Sequence, residues 1–388
     1  MTVEETAARC ALNRIFGYSP SDAHAVLEAF GGSAVSAFRS SADSVFDRVG
    51  PYRGIAERLK QGEPDAARSE LEMVSKLWGG TCTFVPFGSE LYPHPLAQCA
   101  DAPLGLYVRS SSALQQVFDD TPAVAVVGTR DVSPYGRHWC RKIVEELSLA
   151  RVRPRIVSGL AFGTDIIAHV SALEYGLPTI AVLPCGIDAV YPSAHWRQAE
   201  KIAAAPGSAL VSDYPPGTTP KAVNFLRRNR IIAGLSRCTV VVESKARGGS
   251  LITAQFAFDY DRDVYALPGR LDDVRSQGCN TLIRMHTATA IDTVESLSAL
   301  LGLGQGSLRR RADLMTSLEC RYGRTGDVQR LNRIKDLVMA VRGRRGIGAE
   351  DLSRALGIPY AETAALLNIL ESDGFICSDL LQRYSLND

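Results

Sequence analysis

Arginine, glycine and one aromatic residue dominate the segments of this chain where chemistry could occur. Gly128-Thr129-Arg130 is the first such segment, and the run from Ser158-Gly159 to Asp165 is the second. The third runs from Cys185-Gly186 to Tyr191-Pro192. The fourth is Asn224-Phe225-Leu226-Arg227-Arg228-Asn229-Arg230. The fifth runs from Glu243 to Ala254 and holds Lys245, Arg247, Gly248, Gly249 and Ser250. Glycine backbone exposed at a helix amino end is a natural seat for phosphate. Arginine is a planar, bidentate partner for the same group. Phe225 beside the arginine cluster adds a flat surface for a base, which is the combination single-stranded nucleic acid requires. One alternative stays open. Arg227, Arg228 and Arg230 on one helix could be solvated, or could pair with acids such as Asp213.

Bond-breaking chemistry finds less support. Asp165 and His169 stand four apart and share a helix face. No nucleophile or second acid completes a site around them. They read as a residue of a helix amino end and a hydrogen-bonded buried imidazole. The nine cysteines include no C-x-x-C, and the six histidines form no H-E-x-x-H. A disulfide framework and a metal site are therefore not expected. The first glycine segment reads GTRDVSPYG, so the G-x-G-x-x-G of a dinucleotide fold is absent, as is a P-loop. No catalytic residue, cofactor or metal is expected.

These segments need strand ends to hold them. β-Branched runs fall at 123–128, 155–159, 178–186, 208–213, 238–243 and 263–269. Such continuous runs suit parallel strands buried on both faces. Helical patterns lie between them, one beginning near Tyr135 and the others at about 165–175, 194–204, 222–235 and 251–260. The fold class expected is α/β, a doubly wound and mostly parallel sheet of extended Rossmann-like type, with ligands at the carboxyl ends of the strands. Residues 1–78 read as a small helical domain of SAM or helix-hairpin-helix kind, and 79–301 as the sheet domain. Residues 302–327 have linker composition, and 328–388 read as three helices plus a strand pair, the winged-helix plan.

Charge bounds the partners. The 43 Lys and Arg against 42 Asp and Glu leave a formal +1, and only seven of the cations are lysine. A globally basic coat protein for nucleic acid is excluded, while one localised basic site is not. No apolar run approaches the roughly 20 residues of a membrane helix. The opening MTVEETAARC lacks the basic and apolar regions of a signal peptide, so no membrane and a cytoplasmic location are expected. Between Gly357 and Cys377 there is no Lys or Arg, only Glu362, Glu371 and Asp373. A duplex-reading role for the expected recognition helix in this segment is disfavoured. Arg342, Arg344, Arg345 and Arg354 could still touch a backbone, and a protein-contact or regulatory role is preferred.

The blocks VAVVGTR, SGLAFGTDIIAH, TIAVLPCGIDAVYP, NFLRRNRIIAGLS, GGSLITAQFAFDYDRDVYALPG and GCNTLI together resemble the DNA-processing protein A (DprA/Smf) family over about 123–292. The resemblance implies a single-stranded DNA-binding protein that protects incoming DNA and loads RecA recombinase in natural transformation and homologous recombination. It implies a homodimer formed through the Rossmann-like domain, without an established catalytic activity. Carried over by motif, the DNA-facing positions are Gly128, Thr129, Arg130, Ser158, Gly159, Phe225, Arg227, Arg228, Arg230, Lys245 and Ser250, with Asn229 fixing the loop. Arg228→Glu is then expected to weaken binding many-fold without unfolding the protein. The chain departs from the family's pattern at Phe162, where arginine is usual, at Leu226, where proline is usual, and at His286-Thr287-Ala288. Phe162 removes a charge from the rim but could stack a base. Two other readings compete: an enzyme hydrolysing nucleoside monophosphates, and a winged-helix regulator sensing a small ligand. The first lacks a P-G-G-x-G-T-x-x-E segment, and the acidic third helix argues against the second.

Overall fold

The computed structural model describes all residues except 51–53, 304–313, 316, 320, 324–326, 345, 380–381 and 387–388. Two compact units are present, residues 1–305 and 306–388. Most of the expected linker, including its Arg triplet, lies outside the described residues, as does Arg345.

The first unit opens with helices α1 (Val3–Phe16), α2 (Pro20–Ala29), α3 (Ala34–Arg39), α4 (Ala42–Val49), α5 (Ile55–Lys60) and α6 (Pro64–Val74). Strands β1 (Cys82–Pro86) and β2 (Gly105–Arg109) follow, with short helices α7 (His94–Ala97) and α8 (Leu114–Val117) after each. The α/β alternation then runs β3 (Ala123–Val127), α9 (Pro134–Ser148), β4 (Arg155–Ser158), α10 (Thr164–Glu174), β5 (Thr179–Val182), α11 (Trp196–Ala204) and β6 (Ala209–Ser212). It continues through α12 (Ala222–Leu235), β7 (Cys238–Val241), α13 (Gly249–Asp259), β8 (Asp263–Ala266), α14 (Gln277–Arg284), β9 (Thr289–Ala290) and α15 (Val294–Leu300).

The sheet order is β1-β2-β6-β5-β4-β3-β7-β8-β9. Pairs from β6 to β9 are parallel, and only β1–β2 and β2–β6 are antiparallel. Successive residues of β3 face opposite layers, as a pleated strand demands. Ala123, Ala125 and Val127 pack with α12 and α13, while Val124 and Val126 pack with α9 and α10. The chain moves outward one way from β3 through β4, β5 and β6, then restarts on the other side at β7. The crevice between β3 and β7 is thus the topological switch point, where open sheets place ligands. The doubly wound reading holds, with each middle strand inside its expected run.

Residues 1–78 do not stand apart from the sheet. Cys10 and Ala11 of α1, and Ala67 and Val74 of α6, share a core with Phe84 of β1 and Tyr107 of β2. Tyr107 is fully buried, and its hydroxyl donates to Glu70 Oε1 at 2.5 Å. A buried hydroxyl must find a partner, and this one finds Glu70 on α6 and the Cys10 thiol on α1. The two antiparallel edge strands thereby carry the helical layer as part of one unit. Among the described residues no helix is long and apolar enough to cross a membrane.

The second unit holds α16 (Val328–Gly343), β10 (Ile347–Gly348), α17 (Ala349–Leu356), α18 (Tyr360–Ser372), β11 (Ile376–Ser378) and β12 (Arg383–Leu386). Its antiparallel sheet has the order β10-β12-β11, one strand more than the sequence reading gave. Ile334, Leu337, Val338 and Val341 of α16 meet Leu366, Leu367 and Leu370 of α18 in its core. The three acids near α18 are compensated within the unit. Glu362 pairs with Arg333, Asp373 accepts from Arg321 and Tyr322, and Glu371 accepts from the Ser378 hydroxyl at 2.7 Å. The exposed residues Tyr360, Ala361, Ala365 and Asn368 leave that helix an uncharged face.

Candidate nucleic-acid interface

Three loops at the carboxyl ends of β3, β4 and β7 are bonded into one rim. The Thr129 amide donates to Glu243 O at 2.7 Å, and Thr129 O accepts from the Thr164 amide at 3.2 Å. Gly163 makes this approach possible. Its φ is +77°, and a Cβ there would lie 2.3 Å from Thr129 O and 2.6 Å from Arg130 O. No side chain fits at that distance from backbone, and the positive φ independently favours glycine.

The rim presents Arg130, which is exposed, with its guanidinium carbon 4.9 Å from the centre of the Phe225 ring. Phe225 is half-buried and meets Tyr191 edge-on at 5.3 Å. Phe162 is 49% exposed and meets His195, which is held through Nδ1 to Leu160 O at 2.7 Å. A cation over one aromatic ring with further rings nearby forms a surface for both phosphate and bases. Lys245 and Arg247 extend the positive charge and are exposed. Lys245 is shared, however. Asp131 lies 3.5 Å from its Nζ and 3.0 Å from Arg275. Arg275, with Lys245 second, holds the Asp131 carboxyl below its usual range.

Several expected contacts point inward instead. Arg230 is 3% exposed and spends its guanidinium on Asp213 Oδ2 and Asp101 O, each at 2.6 Å. This is the acid pairing left open by the sequence. Arg228 is also buried, donating from Nη1 to Val182 O at 2.6 Å. Gly159 lies against it, since a Cβ at 159 would fall 1.8 Å from that Nη1. The expectation that Arg228→Glu spares the fold is therefore corrected: Arg228 is a core cation near Asp165. Burial raises the Asp165 carboxyl while Arg228 lowers it. The Ser158 hydroxyl is buried on Val126 O, and Ser250 donates to Ser244 Oγ. Asn229 donates to Gly249 O at 3.2 Å, the loop-fixing role expected of it. Arg227 turns toward α1, donating to Gly17 O. Of the expected side chains, Arg130, Phe225 and Lys245 reach the rim, and Gly128 and Thr129 contribute its backbone.

His169 is fully buried, with Nδ1 2.7 Å from Thr179 Oγ1. Burial first, then the charges of Arg228 and His195, push its imidazole down to about 3. The unfolded chain protonates this residue near 6.5, so its stabilising contribution is complete above that value and is lost as pH falls toward 3. Between pH 7 and pH 5 it should cost the wild type about 2 kcal/mol of stability. Urea titrations of wild type and His169→Gln at both pH values check this. An equal pH dependence in the two proteins would assign the loss elsewhere.

One feature was not foreseen from sequence. Glu243 is buried at the switch point and accepts from the Ser133 amide at 2.9 Å, and from the Ser133 hydroxyl. Ser133 is the N-cap of α9, so a carboxylate of the protein itself occupies the anion seat that this helix end offers. A Cβ at Gly136 would lie 2.3 Å from Glu243 Oε2, so the seat is closely filled. A dinucleotide or nucleoside monophosphate has no room for its phosphate there.

Residues 83–302, which contain every rim loop, match the sequence model of the family described as DNA recombination-mediator protein A. The chain belongs to this family. Protein Smf of Escherichia coli is 40% identical over 216 residues, 56% of each chain. The chain spans between 52% and 66% of the lengths of three such curated relatives. Among solved structures, DNA processing protein A of Streptococcus pneumoniae is similar with a TM-score of 0.63 and 33% identity, over 77% of this chain and 98% of that one. A second, DNA processing protein A of Helicobacter pylori, has a TM-score of 0.51 and 29% identity, over 59% of this chain and 98% of that one. That structure is described as giving insight into the Helicobacter protein's single-stranded DNA binding mode. Membership of the family accounts for the rim loops, and the inward turn of Arg228 and Arg230 separates the matching motif from the surface.

Proposed function

We propose that this member of the recombination-mediator family binds single-stranded DNA along the β3–β4–β7 rim and loads RecA recombinase onto it. Protection of incoming DNA during transformation, pairing of two copies through the Rossmann-like domain and a cytoplasmic site of action belong to the same reading. No catalytic step is assigned. The observation that carries the binding is the exposed Arg130 guanidinium stacked on Phe225, beside Lys245 and Arg247. The binding mode described for the Helicobacter relative supports the choice of ligand. The uncharged outer face of α18 supports a protein contact for the second unit.

The test is a titration of oligothymidine and of duplex DNA from 50 to 200 mM salt. Single strands should bind more tightly. The logarithm of the affinity should fall with the logarithm of salt at a slope of about −2, the value for roughly three phosphates neutralised on a single strand. Equal affinity for duplex, or no dependence on salt, would reject the reading.

A further inference from the structure

The helix that carries Phe225 begins without a side-chain cap. Lys221 stands at the N-cap of α12 and supplies no hydrogen bond to the open amides. Open amino ends are ordinarily held by such a cap. Here the first turn is fixed by tertiary bonds, and a central one comes from the turn between α1 and α2. The Tyr18 hydroxyl donates to Asn224 Oδ1 at 2.9 Å. Asn224 is fully buried and donates in turn to Pro184 O at 3.1 Å and Thr219 O at 3.4 Å. Its amide thus knits the end of α12 to the segments beyond β5 and β6, and Tyr18 completes its bonding. The Tyr18 ring also carries the Arg227 guanidinium at 4.8 Å, and Arg227 donates to Gly17 O at 3.2 Å. One turn further back on α1, Asn13 donates to Asp213 O at 2.9 Å.

We infer that the α1–α2 turn is part of the DNA-binding machinery, with Tyr18 a positioning residue that holds the first turn of α12 so that Phe225 faces the ligand. Phe225 adjoins Asn224, so a shift of the Asn224 anchor moves the ring on which Arg130 stacks. Arg227, committed to Tyr18 and Gly17, serves this brace rather than the DNA. The helical layer at the amino end is then a working part of the rim. This inference rests on the single-strand reading above.

The test is a double-mutant cycle on the full chain, read as dissociation constants for oligothymidine together with melting temperatures. Phe225→Ala should weaken binding about tenfold, the ordinary value of one stacked base. Tyr18→Ala should weaken it about fivefold, and the double variant should be no weaker than Phe225→Ala alone, because Tyr18 acts through Phe225. Tyr18→Phe, which keeps the ring and loses the donor, should cost about threefold. Tyr18 is 47% exposed, so both variants should melt within a few degrees of wild type. A merely structural loss would lower melting and leave binding at low temperature unchanged. Wild-type affinity in both Tyr18 variants would overturn the inference. A double variant weakened by the product of the two single effects would also overturn it, since Tyr18 would then be a separate contact. Wild-type affinity in Phe225→Ala and Arg130→Glu would instead overturn the rim itself.

Discussion

Arg230→Ala should weaken the fold rather than disarm the rim. Arg230 and Asp213 form an ion pair at 2.6 Å in which both side chains are nearly inaccessible to water, 4% and 3% exposed. Removing one partner leaves a buried charge, at a cost of about 3–5 kcal/mol. The surrounding bonds raise the stakes. Arg230 also holds Asp101 O, and Tyr260 donates to Asp101 Oδ1 at 2.5 Å, so the loss loosens the approach of α12 to the segment before β2. Burial raises the Asp213 carboxyl and Arg230 is the first influence opposing it. In Arg230→Ala that opposition is gone, and the orphaned acid is stabilised by taking a proton. The deficit against wild type should therefore narrow as pH falls from 7 to 5. Urea denaturation at the two pH values measures it, and the first melting transition should drop by roughly 10 °C. Arg228→Glu should behave similarly, since it sets a second carboxylate near Asp165 in a buried space. A variant that melts like wild type yet fails to bind DNA would return Arg230 to the ligand surface.

Why a run of arginines should split this way has a physical answer. The strands were legible because burial on both faces selects β-branched runs, and their ends located the rim loops to within a residue or two. Residue type alone does not place a side chain around a helix. Asn224, Arg228, Ile231 and Leu235 recur at helical spacing and are all buried, while Leu226 between them is exposed. From Arg228 to Leu235 every residue of α12 is buried, which is the pattern of a central helix and not of a surface one. The acid that accepts the inward Arg230, Asp213, stands just past strand β6, and this pairing was the readable clue. The bracing of α12 by Tyr18 depends on a contact across 206 residues of sequence, and the seating of α1 and α6 on the edge strands on contacts across 97 and 37, which no local period encodes. Glu243 was visible as an acid ending a β run, but only the fold sets it on the amino end of α9.

Arg130→Glu should produce the largest loss of binding that leaves the fold intact. Arg130 is exposed, its guanidinium rests on Phe225, and no ion pair involves it among the described residues. Little of the fold therefore depends on it, and melting should stay within a degree or two. For a polyanion the change is severe. One phosphate contact disappears, a like charge takes its place, and the partner that holds Phe225 flat is lost. Affinity at 50 mM salt should fall by tens-fold, and the salt slope should flatten by about 0.7, the single-strand value for one phosphate. Arg130→Lys separates these contributions. It keeps the charge but gives up the planar stack, so its slope should match wild type while affinity falls only a few-fold. Asp131→Asn provides a test in the opposite direction. That carboxylate occupies Lys245 and Arg275 in the free protein, so its neutralisation should release both cations to the rim and tighten binding. Wild-type affinity in Arg130→Glu across the salt range would place the DNA elsewhere, whereas opposite shifts in Arg130→Glu and Asp131→Asn would fix the path of the strand across the mouth of the β3–β7 crevice.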